Sequence, residues 1–294
     1  HDKKRITHRL FSQYLISPKV RFFGNVEIGK ALSIDDLAAH YDATILTVGA
    51  SAAKTLDIPG ENLPGVFSAR SFVNWYNGHP DFNELPVDLS CKRGRIVCNG
   101  NVSLYVARIV GTPLNILEKT DIANHALDTL RMSKIEEITL LGRRSVAESA
   151  FHSSALEEFF TLSDVDIAIE GADLSTLPRV ETKSVQRKLE TLNALEQRQV
   201  QSPRKRVCFR YQSVPIEVIG DNSAKALRVI SSGLDLQSVE SDIPADLVIR
   251  SIGYEGEPIE GLPFDEQRGV IPSEQGRVIE NSRVYVAGWI RRGP

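Results

Sequence analysis

The segment RIVCNGNVSLYVARIV, Arg95 to Val110, runs a short apolar strand into a turn at Cys98-Asn99-Gly100-Asn101 and then into a helix with apolar spacing. A corner of this kind can hold the pyrophosphate of a dinucleotide. The free backbone N–H groups at a helix start and the helix dipole both favour negative charge there. Such turns place glycine at three positions: the first for the tight turn, the second for close phosphate approach, the third for helix–strand packing. Here those positions hold Cys98, Gly100 and Ser103. The glycine nearest the ligand is retained and Ser103 is small enough to pack, but Cys98 adds a Cβ where the turn can call for positive φ. Taken alone, the segment reads equally as a dinucleotide turn or as a plain strand–turn–helix corner.

Arg143 and Arg144, in LLGRR, bear on that choice. In a dinucleotide-binding domain the loop after the second strand meets the adenosine ribose. An acidic residue there accepts the 2′-OH of NAD, whereas arginine accommodates the 2′-phosphate of NADP. Guanidinium forks match phosphate geometry, so the pair points to NADP. The interval from Gly100 exceeds the usual ~20 residues, and an additional helix at about 121–131 accounts for the excess. The other reading is a solvated arginine pair that happens to follow a strand.

The elements that must position these residues alternate between strand and helix. RFFGNVEIG reads as a strand and turn, IDDLAAHYD as a helix, and ATILTVGA as a strand. DIPGENLPGV, with two Pro-Gly clusters, reads as a linker, and SFVNWYNG as one or two helical turns. The strand at 95–98 and the helix at 100–110 follow, then the helix at 121–131 and the strand EEITLLG. SSALEEFF reads as a helix, VDIAIEG as a strand, and 181–199 as a long polar helix. After it the period changes to two, and KRVCFRYQSVPIEVIG with KALRVISSG predicts an antiparallel meander. ADLVIRSIG and RVYVAGWI read as buried strands of parallel type. ILTVGA and VYVAGW rhyme, each a strand ending in glycine. The alternation predicts a doubly wound α/β architecture.

Composition fits such a fold. The 294 residues are 41% hydrophobic and 25% charged, within the range of one large or two medium domains. A formal charge of −3 gives no general attraction to nucleic acid or anionic membrane. No apolar run approaches the ~20 residues that span a bilayer. Cys91, Cys98 and Cys208 lack CxxC spacing, so neither a disulfide framework nor a metal site is expected, and the setting reads as reducing and cytoplasmic. The chain opens at His1 and stops at WIRRGP directly after a strand, which reads as an internal fragment.

RFFGNVEIG, YDATILTVGA, IPGENLPGV, FVNWYNGHPDF, GNVSLYVARI, TDIANHALDTL, LLGRR, LVIRSIGY, GLPFD and VYVAGWIRRGP occur in one order along the chain. In that order they resemble the adrenodoxin-reductase-like ferredoxin–NADP reductases over nearly the whole length, least across about 165–240. The resemblance implies two Rossmann-like dinucleotide-binding domains, with an NADP domain at 52–253 inserted into a partial FAD domain at 1–51 and 254–294. It implies hydride transfer from NADPH to FAD and electron delivery to a ferredoxin-like iron–sulfur protein. By the same resemblance Asn99, Gly100, Asn101 and Val102 form the NADP loop, and Arg143 and Arg144 hold the 2′-phosphate. Gly49, Trp289 and Gly293 meet the flavin, and His1 matches a histidine near it. Trp289 reads otherwise as a buried core aromatic, and His1 as a frayed terminus.

The chain departs from the family pattern at Cys98, at Ser103, at Tyr105 in place of Asp, and at GRRSV in place of GRRGP. Where the family places a Glu near the nicotinamide stands Ala155. Glu157 and Glu158 are turned about 200° and 300° away from it on a helix, and Glu148 has no family counterpart. The flavin's phosphate turn is expected upstream of His1, so this chain is expected to retain flavin weakly. Arg187 and Lys188, with Arg204, Lys205 and Arg206, are candidates for a basic docking face toward an acidic partner. A homologue that binds nucleotide without turnover is the other functional reading, favoured by Cys98, Tyr105 and Ala155.

Overall fold

The computed structural model describes residues 11–174, 182–232 and 238–293. It divides into two compact units, one formed by His1–Lys54 with Gly253–Pro294 and the other by Thr55–Ile252.

The Thr55–Ile252 unit is built on six parallel strands. In chain order its elements are β1 (Val66–Ser68), α1 (Ala69–Tyr76), β2 (Arg93–Val97), α2 (Asn101–Gly111) and α3 (Asn124–Arg131). There follow β3 (Glu137–Leu141), α4 (Ser153–Glu157), β4 (Val165–Glu170), α5 (Lys183–Glu196) and β5 (Lys205–Arg210). The last four are β6 (Ser213–Ile219), β7 (Ala226–Ser232), β8 (Ser238–Pro244) and β9 (Leu247–Arg250). The sheet order is β1-β9-β2-β3-β5-β4, and every pairing in it is parallel.

Successive side chains of a strand point to opposite faces, and here the two sets enter different cores. Ile96, Leu140, Phe209 and Ile249 pack with the helices, through Phe72 and Trp75 of α1, Leu104 and Ala107 of α2, and Leu192 of α5. Val97, Leu141 and Val248 pack with Val218, Leu227, Val229 and Ile243 of the antiparallel trio β6, β7 and β8. Both faces of the central strands are therefore covered, which suits their near-continuous apolar runs. Arg95 ties the layers together: its Nε donates to Pro244 O at 3.0 Å and its Nη1 to Glu137 Oε1 at 2.6 Å. Burial pushes the Glu137 carboxyl up, but Arg95 outweighs that and holds it below the usual carboxylate range.

The helices follow their sequences. In α1 the Ser68 side chain caps the start by accepting from Ser71 N at 3.0 Å, and Phe72, Trp75 and Tyr76 lie one turn apart on the buried face. In α2, Ser103, Leu104, Val106, Ala107 and Val110 face inward, and Thr112-Pro113 ends the helix.

Several expectations are corrected. KRVCFR is not part of the meander; it is β5, a parallel strand between β3 and β4, and its Val207, Cys208 and Phe209 are buried. Its short apolar run reflects cover on both faces rather than a period of two. The meander's third strand is β8, whose polar sequence SVESDIP hid it. RFFGNVEIG forms no strand beyond a bridge between Ile28 and Leu32; Asn25 there has φ +57°, and Phe22 and Phe23 face outward without a ladder partner. Within the linker reading, Val66 begins β1. The helix expected at about 121–131 begins at Asn124, and a separate turn covers Leu114–Leu117.

The other unit has a smaller core: Ile34, Leu46, Ile271, Val278, Val284, Val286 and Ile290. Thr44–Leu46 pairs in parallel with Val284–Val286, placing Leu46 opposite Val286. Arg277–Val278 and Ser273–Glu274 extend this sheet on the far side of Val284–Val286. The two rhyming sequences are thus neighbouring strands. Val284–Val286 is only half buried, since Tyr285 faces outward. A helix at Ile34–His40 begins with a capping box in which Ser33 and Asp36 bond reciprocally.

Candidate nucleotide-binding site

The candidate residues of the larger unit meet at the carboxyl edge of β2 and β3, the edge where open α/β sheets hold ligands. Cys98 follows β2, and its N–H donates to Leu141 O at 2.9 Å, extending the β2–β3 ladder into the turn. Its φ of +118° lies in territory that L side chains rarely adopt. The turn keeps the backbone path that a first-position glycine ordinarily supplies, at a strain cost of about 1–3 kcal/mol. Burial pushes the Cys98 thiol up, partly offset by the Asn99 and Gly100 backbone and by the charge of Arg143. The thiol therefore stays protonated and is not a poised nucleophile.

Asn99 is 6% exposed. Its carbonyl accepts from Ala150 N at 3.0 Å, and its amide lies against Gly142, where a Cβ would stand 2.0 Å from Asn99 Nδ2. The glycine of LLGRR is therefore needed for close approach of the two loops. Asn99 Oδ1 is buried with no hydrogen-bond partner among the described residues. Gly100 is the N-cap of α2, and no side chain caps the helix there. A Cβ on Gly100 would have no heavy atom within 4 Å, so the space above the helix start is open. The first N–H groups of α2 have no intrahelical partner and face that opening. Asn101 Oδ1 accepts from His152 N at 2.8 Å, which ties the helix start to the segment before α4. Val102 packs against the core, so its backbone is what it can offer a ligand. Ser103 is fully buried, in keeping with the packing position.

Arg143 and Arg144 are both exposed on the loop after β3. That loop is held at its base: Gly142 N donates to Arg210 O at 2.8 Å, Ser213 N to Gly142 O at 3.0 Å, and Gln212 N to Arg144 O at 3.2 Å. Its far end is held by Ser149, whose Oγ reaches Val146 O at 2.7 Å and Tyr211 OH at 3.2 Å. The Ser149 carbonyl accepts from Lys188 Nζ. Lys188 is only 8% exposed, and its ammonium lies 5.4 Å from the Phe151 ring centre. Burial lowers the Lys188 pKa and pushes the Tyr211 hydroxyl up. Arg144 Nη1 sits 3.6 Å from Glu148 Oε1, whereas Arg143 makes no ion pair among the described residues. Ser145-x-x-Glu148 forms a capping box, a motif legible in the sequence but passed over there.

The basic docking face is corrected. Lys188 is buried beneath the arginine loop, and Lys205 turns inward to bond Val110 O. Arg187 and Arg204 pair with Glu157 and Asp164 yet stay exposed, as does Arg206, so the exposed basic residues are these three arginines. Ala155 is buried; Glu157 and Glu158 are spoken for by Arg187 and Arg108.

In the smaller unit, Gly49 and Gly288 follow the two paired strands with φ +77° and +74°, and neither has a heavy atom within 4 Å of a notional Cβ. Gly293 shares these features at φ +80°. Trp289 is no core aromatic: it is 51% exposed and stacks on Tyr254 with centroids 6.3 Å apart and planes 15° from parallel. His1 lies outside the described residues.

No family model matches the chain. It is 38% identical to the NADPH-ferredoxin reductase FprA of Mycobacterium tuberculosis, with all of this chain and 68% of the relative aligned. It is 42% identical to a probable ferredoxin/ferredoxin–NADP reductase of Mycobacterium bovis, covering 52% of that protein. It is 37% identical to the mitochondrial NADPH:adrenodoxin oxidoreductase of Bos taurus, covering 65%. The solved structure of Mycobacterium tuberculosis FprA in complex with NADPH superposes with a TM-score of 0.92, covering 100% of this chain and 68% of that one at 38% identity. Such similarity along the whole chain, together with an α/β fold of two Rossmann-like units with one inserted in the other, means that the chain belongs to the family of NADPH-ferredoxin reductases.

Proposed function

We propose that the chain takes electrons from NADPH and passes them, through FAD, to a ferredoxin-type iron–sulfur protein in a cytoplasmic setting. One observation carries the NADPH half: Asn99 and Gly142 bring the open start of α2 and the Arg143-Arg144 loop together on neighbouring strands. The backbone of Asn101 and Val102 would hold the pyrophosphate in the space over Gly100, and Arg143 and Arg144 the 2′-phosphate. The unpartnered Asn99 Oδ1 offers an acceptor to a ligand hydroxyl or amide beside them. The unit Thr55–Ile252 is accordingly the NADP side, and the remaining residues are the FAD side.

The residues of the FAD side fit a flavin. Gly49 and Gly288 open the ends of two adjacent parallel strands, and the half-exposed Trp289 offers an aromatic face. FAD, when bound, supplies the conversion between hydride and single-electron transfer. The protein residues bind and orient. Ala155 stands where the family places a Glu, and Glu157 and Glu158 close to it in sequence are ion-paired with Arg187 and Arg108. That observation favours a second reading, nucleotide binding without turnover.

Reduction of a ferredoxin by the chain supplied with FAD and NADPH separates the two. The proposal expects turnover that needs all three components, with FAD bound between about twofold and tenfold more weakly after Trp289→Ala. NADPH binding with no ferredoxin reduction at saturating FAD would leave the second reading standing.

A further inference from the structure

The loop that carries the arginine pair also carries an acid. Glu148 Oε1 lies 3.6 Å from Arg144 Nη1, and its Oε2 accepts from Ser145 N at 3.3 Å and Ser145 Oγ at 2.9 Å. The carboxylate therefore holds Arg144 and the loop backbone at once, in the part of the loop that a 2′-phosphate would approach. Arg143 has no such partner among the described residues. We infer that Glu148 is a specificity-determining residue, an internal counter-ion of Arg144 that competes with the 2′-phosphate and narrows the preference for NADPH over NADH. The inference rests on the NADP reading of this loop.

Two physical points support it. The Arg144–Glu148 pair is solvent-exposed, so it is weak enough for a dianionic phosphate to displace. A carboxylate that remains within a few ångströms of the phosphate then repels it, with a strength that salt reduces. Arg143 is left as the principal phosphate ligand and Arg144 as the adjustable one.

Glu148→Gln tests this cleanly, because glutamine also serves at the third position of a capping box and preserves the loop. Wild type and variant are titrated with adenosine 2′,5′-bisphosphate and with 5′-AMP. The expected result is binding of the bisphosphate about two- to fivefold tighter in the variant, with 5′-AMP unchanged and the gain shrinking as salt rises. Unchanged or weaker bisphosphate binding, in a wild type that prefers the bisphosphate to 5′-AMP, overturns the inference and leaves the NADP reading intact. No preference for the bisphosphate in either protein overturns both. Weaker 5′-AMP binding in the variant would mean that Glu148 merely shapes the loop, which also overturns it.

Discussion

Both units present a glycine just beyond a parallel strand, yet they support it very differently. Around Gly100 and Gly142 the strands are covered on both faces, and Asn99, Ser149, Tyr211 and Lys188 are buried groups that fix the loops. Around Gly49 and Gly288 the strands are three residues long, and one face of that sheet shows Ile45 at 67% and Tyr285 at 36% exposure. Among the described residues, most of the large exposed apolar side chains, including Phe11, Ile16, Phe22 and Phe23, belong to this smaller unit. The precision of a ligand loop comes from the packing behind it. Similar turn chemistry is therefore held rigidly in one unit and lightly in the other.

The sharpest contrast is expected from truncating the same side chain in each. Phe209 is 0% exposed between Phe151 and Phe159, so Phe209→Ala should destabilise the Thr55–Ile252 unit by about 3–5 kcal/mol in urea unfolding. Phe23 is 66% exposed, and Phe23→Ala should change stability by no more than about 0.5 kcal/mol. Equal losses would break the comparison.

A smaller effect sharpens it at the loop. Lys188→Met keeps the aliphatic volume but leaves the Ser149 carbonyl unpaired, a loss of about 1–3 kcal/mol. Burial holds the folded pKa of Lys188 below its ordinary 10.5. Between that depressed value and 10.5 the unfolded chain binds more protons, so Lys188 makes stability rise with pH across that window. The difference between wild type and variant should show that slope; a pH-independent difference would remove Lys188 from the account.

The smallest effect is expected in the other unit. The bonds from Ser33 hold the exposed Asp36 carboxyl below its ordinary 3.8. Its support is full above 3.8 and is lost as pH falls through the depressed value. Asp36→Ala should therefore speed amide exchange across Ile34–His40 near neutrality and make no difference in strong acid.

Much of the larger unit was legible because its elements are long and their periods plain. The helix after Gly100 and the strand before Arg143 follow from apolar spacing alone, and LLGRR marks the exposed arginine pair on the loop after that strand. What stayed hidden depends on contacts distant in sequence. Lys188 reads as a surface charge on a polar helix, and only the fold buries it under Ser149. β8 is polar because it is an outer strand of the small sheet, and β5 mimics a meander because its run is short and continues directly into β6. The need for glycine at Gly142 is set by Asn99, forty-three positions earlier, and no local pattern reveals it.

In the proposed function the start of α2 and the Arg143-Arg144 loop form one site selective for NADPH. Calorimetric titration of the chain with NADPH and, separately, NADH tests it most directly. Charge-assisted bonds from the arginines are each worth about 1.5–3 kcal/mol, so NADPH should bind more than about tenfold tighter, and Arg143→Ala with Arg144→Ala should abolish that preference while sparing NADH. Equal affinity for the two nucleotides, or a preference that survives loss of both arginines, would contradict it.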